Sequence, residues 1–176
     1  MKPIGDYAIL LKTQTLEEYL AENPHGVLLQ HAAKGSFDAF QGTPSETLMR
    51  FEGELRSRAE LDEESLPLGL TYMVLPLGSL EHTKAIRLLV GCQDECDVTL
   101  KDTSVSREHA WIELRDGRYH ISDNGSTTGT QVNGKHLAAD EERKLANSDQ
   151  VTIGTVDMTY LDAEGFYRFT REFLKL

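Results

Sequence analysis

Beyond residue 85 the apolar residues fall on every second position: Ile86, Leu88 and Val90, then Ala110, Ile112 and Leu114, then Tyr119 and Ile121, then Val156, Met158 and Tyr160. Successive side chains of a strand point to opposite faces, so this period marks half-buried antiparallel strands with one face on a core. Asp116-Gly117, Asn124-Gly125 and Asn133-Gly134 punctuate the runs. Each dipeptide tolerates the positive φ angles of a tight hairpin turn. Many short strands joined in this way predict a β-sandwich.

The first 67 residues have a different pattern, mostly helical and acidic. Thr15 to Glu18 has the spacing of a capping box, and Asn23-Pro24-His25-Gly26 closes the short helix that it opens. A second helix is expected from Thr43-Pro44-Ser45-Glu46, with Leu48, Phe51, Leu55 and Ala59 on one face. Between them Val27-Leu28-Leu29-Gln30 fits a buried strand or a turn of helix equally well, and Gly35 to Gly42 fits a loop. Asp62-Glu63-Glu64-Ser65 and then Pro67 stop any helix before the apolar stretch from Leu70 to Leu77. The chain therefore divides into a helical segment 1–67, a β-sandwich 68–162 and a C-terminal amphipathic helix 163–176. In the last, Asp162 is the expected N-cap and Phe166, Phe169, Phe173 and Leu174 form the apolar face.

With 176 residues, 39% of them hydrophobic, the chain can bury one ordinary core. Its 29 acidic against 18 basic side chains give a net charge of -11. That balance argues against a nucleic-acid partner, whose phosphate backbone wants a basic footprint. No apolar run has the length of a membrane span and no signal-like stretch opens the chain, so a cytoplasmic protein with no membrane partner is expected. The two cysteines, Cys92 and Cys96, have neither a second pair nor a nearby histidine, as a zinc site would require, and are expected to be reduced structural thiols. Asp94, Glu95 and Asp97 lack the glycine and terminal glutamate of a calcium loop, so neither metal nor other cofactor is expected.

The stretch from Val90 to Gly134 carries the chemistry. It contains Val90-Gly91-Cys92, then Ser104-Val105-Ser106-Arg107-Glu108-His109-Ala110, then Asp123-Asn124-Gly125-Ser126-Thr127-Thr128-Gly129-Thr130-Gln131-Val132-Asn133-Gly134. In order and spacing these blocks resemble the forkhead-associated (FHA) family, and the likeness spans residues 68–162. Three separated blocks interleaved with the strand pattern are far more specific than a lone glycine motif.

The resemblance implies a mainly β protein, an FHA-type 11-stranded antiparallel β-sandwich whose loops at one end bind a phosphothreonine peptide without catalysis. A phosphate needs hydroxyl, backbone N–H and guanidinium donors held on rigid loops. Ser106, Arg107 and Thr127 are the expected phosphate contacts, and Thr128 is expected near the adjacent peptide backbone. His109 matches a histidine that locks the Ser106 loop. Gly91 and Gly129 match glycines that shape loop junctions. Two positions depart from the family: Cys92 stands where it has arginine, and Thr128 where it has asparagine. Arg107 and Lys101 are the cations that would compensate.

An enzyme reading would join Ser106, His109 and Asp123 as nucleophile, base and orienter, but no nucleophile-elbow or oxyanion-hole sequence accompanies them. The expected function is that of a non-enzymatic adaptor for a phosphothreonine-containing protein, a serine/threonine kinase or its substrate. The alternative is a phosphate-independent interaction module with a degenerate site.

Overall fold

The computed structural model describes residues 2–31, 72–78, 87–139 and 141–173. In chain order these form β1 (Lys2–Pro3), a 3-10 turn (Ile4–Tyr7), α1 (Ala8–Thr13), α2 (Leu16–Glu22), β2 (Val27–His31), β3 (Tyr72–Pro76), β4 (Arg87–Gly91), β5 (Val98–Thr99), β6 (Ala110–Arg115) and β7 (Arg118–Asp123). There follow β8 (Thr130–Val132), β9 (Lys135–His136), β10 (Glu142–Lys144), β11 (Gln150–Ile153), β12 (Val156–Leu161) and α3 (Ala163–Phe173). The helix expected from Thr43 to Ala59, the Gly35–Gly42 loop and the polar break at 62–69 lie outside the described residues.

A seven-stranded sheet, ordered β1-β3-β2-β12-β11-β8-β9, faces a five-stranded sheet, ordered β10-β7-β6-β4-β5. The expected sandwich is present, with twelve strands among the described residues where eleven were implied. One pair departs from the antiparallel rule: β5 runs parallel to β4, with Val90 opposite Val98. The period-two residues Val90, Ala110, Ile112, Tyr119, Ile121 and Met158 meet between the sheets, buried together with Val151 and Ile153. Burying each large side chain in this way is worth about 1.5–3 kcal/mol.

Asp116 and Gly117 turn β6 into β7 with φ of 50° and 71°, and Asn133 and Gly134 turn β8 into β9 with φ of 52° and 73°. Asn124-Gly125 does something other than the expected hairpin. It leaves β7 in the five-stranded sheet for β8 in the seven-stranded one, so the dipeptide opens a crossing loop between sheets.

Val27 to Gln30, undecided from sequence, is strand β2, hydrogen-bonded between β3 and β12. Leu28 points into the inter-sheet core, whereas Val27 and Leu29 face a second core on the outer side of the same sheet. That second core is roofed by helices. Phe166 and Tyr167 of α3 pack there with Ile4, Leu11 and Tyr19, Tyr7 meeting Phe166 edge-on at 5.1 Å. The Thr15–Glu18 capping box forms as expected. Asp162 caps α3, accepting from the Gly165 N–H at 2.7 Å. Tyr167 Oη donates to the Gln14 carbonyl at 3.0 Å and Arg171 donates to that of Leu11 at 2.9 Å, fastening α3 to the N-terminal helices. Phe166, Phe169 and Phe173 of the expected apolar face thus pack within the molecule, and Leu174 lies outside the described residues.

Candidate functional site

Three loops meet at one end of the sandwich: β4 to β5, β5 to β6, and the crossing loop β7 to β8. Between them lies a cleft of about 700 Å³. Its walls are Cys92 and Gln93 from the first loop, Val105 to Glu108 from the second, and Asn124, Gly125 and Thr127 from the third.

Beneath the cleft the loops are locked by His109, which is fully buried. Its Nδ1 accepts from the Ser106 N–H at 3.0 Å. The ring proton therefore sits on Nε2, which donates to the Gly129 carbonyl at 3.1 Å. One imidazole thus bridges the second loop to the third. Asp123 completes this layer: it accepts from Ser126 N–H at 2.8 Å, Ser126 Oγ at 2.7 Å and Thr130 Oγ1 at 2.8 Å. Burial alone would raise the Asp123 carboxyl, but these bonds from Ser126 and Thr130 outweigh it and hold the group below the usual carboxylate range.

Two glycines are sterically required. A Cβ on Gly91 would stand 2.0 Å from the Arg107 carbonyl, an oxygen that also accepts from Cys96 Sγ at 3.2 Å. Gly129 adopts φ of 84°, a left-handed conformation that side chains disfavour.

At the rim, Ser106 Oγ accepts from the Thr127 N–H at 3.1 Å, which joins two of the expected contacts directly. The hydroxyl protons of Ser106 and Thr127 and the exposed guanidinium of Arg107 have no partner among the described residues. Ser106, Arg107 and Thr127 are brought together. Thr128 is placed differently: its hydroxyl donates to the Ser104 carbonyl at 2.7 Å, outside the cleft wall, and so ties the second and third loops. Ser104 is itself held by Asp102 Oδ1 at 2.6 Å and by the Thr155 N–H at 2.9 Å. Lys101 turns to an ion pair with Asp94 and to the Cys92 carbonyl at 3.2 Å, away from the lining. Cys92 lines the cleft with a free thiol, while burial pushes the thiol of Cys96 up, in keeping with a structural role.

The same geometry bears on the enzyme reading. His109 receives the Ser106 backbone, not its hydroxyl, and both ring nitrogens are occupied, so the imidazole has no position from which to take the Ser106 proton. Among the described residues no group of three or more His, Cys, Asp or Glu side chains could hold a metal ion, and no helix is long and apolar enough to cross a membrane. Gln93, Glu108 and Asn124 line the cleft without having been expected as ligand contacts from sequence. Their only signal was adjacency to a motif residue.

Part of the chain is similar in sequence to known proteins. The chain is 31% identical over 102 residues to the glycogen accumulation regulator GarA of Mycolicibacterium smegmatis, covering 56% of this chain and 63% of that protein. It is 28% identical over 107 residues to an oxoglutarate dehydrogenase inhibitor of Corynebacterium glutamicum, covering 58% and 73%. The chain thus spans less than two thirds of the length of the GarA protein. Among solved structures, the FHA domain of the CT664 protein of Chlamydia trachomatis superposes with a TM-score of 0.48 at 22% identity, covering 78% of this chain and 97% of that one. The family model described as FHA domain matches residues 88–154, from the second residue of β4 through the end of β11, and the chain therefore carries an FHA domain.

Proposed function

We propose that the chain is a non-enzymatic adaptor that docks a phosphothreonine-containing protein, a kinase or a kinase substrate in serine/threonine-kinase signalling in the cytoplasm. The observation that carries this reading is the convergence on one cleft of three donors without a partner among the described residues. Ser106 Oγ, Thr127 Oγ1 and the Arg107 guanidinium stand on loops fixed from below by His109. A phosphate with between one and two negative charges and three acceptor oxygens matches that donor set. In this reading Thr128, by tying its loop to Ser104, sets the path of the peptide backbone beside the phosphothreonine. Gly91, Gly129 and His109 shape the site without touching ligand.

The relatives' names fit a regulator without catalysis, since one is called a regulator and another an inhibitor. The test is calorimetric titration with a phosphothreonine peptide, its unphosphorylated twin and a phosphoserine version. The reading requires heat from the first and none from the second. A second reading, a phosphate-independent interaction module, draws on Cys92, a neutral side chain in the cleft where the family has arginine. Equal binding of both twins, or of neither at millimolar peptide, would favour that module.

A further inference from the structure

The charges lining the cleft cancel. Among the described residues that line it, Arg107 is the one cation and Glu108 the one anion, and the other side chains are uncharged. Both are exposed, and neither has an ion-pair partner among the described residues. Of the acids beside the first wall, Asp94 is paired with Lys101 and the exposed Glu95 stands outside the lining, and Asp123 lies under the loops with its oxygens bonded to Ser126 and Thr130. Among the described lining residues Glu108 is thus the carboxylate without an ion pair, next in sequence to Arg107 on the loop that His109 anchors.

A phosphate entering such a cleft brings up to two negative charges against one local cation, and leaves the occupied site net negative. The imbalance is relieved if the ligand carries its own cation toward the glutamate. We infer that Glu108 is a specificity-determining residue. The cleft takes a phosphothreonine on Arg107 together with a lysine or arginine of the same peptide on Glu108, and it discriminates against peptides with acidic residues beside the phosphothreonine. This rests on the phosphothreonine reading above and names the class of peptide that satisfies it.

The whole chain, at a net charge of -11, also attracts basic peptides, so the test must separate a local effect from a global one. Two phosphothreonine peptides are titrated, alike except that lysines or glutamates flank the phosphothreonine, against wild type, Glu108→Gln and Glu164→Gln. Glu164 is exposed on α3, away from the cleft wall, and its loss changes the net charge equally. Wild type and Glu164→Gln should bind the lysine peptide roughly fivefold more tightly, as expected for an exposed charge pair combined with relief of repulsion, and Glu108→Gln should reduce that ratio to below about twofold. Phosphopeptide binding that ignores the flanking charge, or a preference that survives in Glu108→Gln, overturns this inference and leaves the phosphothreonine reading standing. If neither phosphopeptide binds the wild type, both fall together.

Discussion

The layer under the cleft and the rim above it are built on opposite terms. Below, His109 and Asp123 have their polar atoms bonded to backbone or hydroxyls at 2.7 to 3.1 Å, and His109 is sealed from water. At the rim, Ser106, Thr127 and Arg107 keep donors without a partner among the described residues. Buried polar groups must be paired because an unsatisfied one costs about 1–3 kcal/mol, whereas exposed donors can wait on water until a ligand arrives. Stability and binding should therefore separate by depth, residue by residue.

The largest effect should come from the lower layer. Replacing His109 with alanine unpairs the Ser106 N–H and the Gly129 carbonyl and leaves a cavity, for a loss of about 2–4 kcal/mol in a urea or thermal melt. Loss of binding with an unchanged melt would break the comparison. Next, Ser106→Ala at the rim should weaken phosphopeptide binding by about ten- to a hundredfold, the worth of a hydrogen bond to a charged group, while the melt shifts by no more than about 1 kcal/mol. Cys92→Arg sharpens the same point from the other direction. It adds a cation to a cleft-lining position and should raise affinity by about tenfold by calorimetry, with little change in stability.

The smallest effect is on pH. The bonds to Asp123 and Asp102 lower both carboxyls in the folded chain. Their contribution to stability is complete above the ordinary carboxylate pKa and is lost as pH falls through the lowered folded values. Acid unfolding of wild type should steepen there, and Asp123→Asn should flatten that limb of the stability curve.

How much was legible from sequence follows the same depth argument. Strands β6 and β7 have one face in the core and one outward, so Ala110, Ile112, Tyr119 and Ile121 alternate visibly. Strand β2 has core on both sides, Leu28 inward and Val27 and Leu29 under the helices, and this double burial erases the alternation that identifies a strand. Asn124-Gly125 suggested a hairpin because its chemistry permits one, but pairing partners decide that, and β7 and β8 belong to different sheets. In the site, the motif located Ser106, Arg107, Thr127 and His109. The hydroxyl of Thr128 turned to Ser104 and the amine of Lys101 to Asp94 through contacts that no local pattern encodes. The place of Glu108 on the cleft wall emerged only once the loops were assembled.

The most direct test of the account is a paired measurement on wild type and Ser106→Ala: titration with one phosphothreonine peptide and its unphosphorylated twin, and a thermal melt of each protein. The account predicts phosphate-dependent binding by wild type, its loss in the variant, and nearly superimposable melts. Equal binding by the two proteins, or binding indifferent to the phosphate, would contradict it.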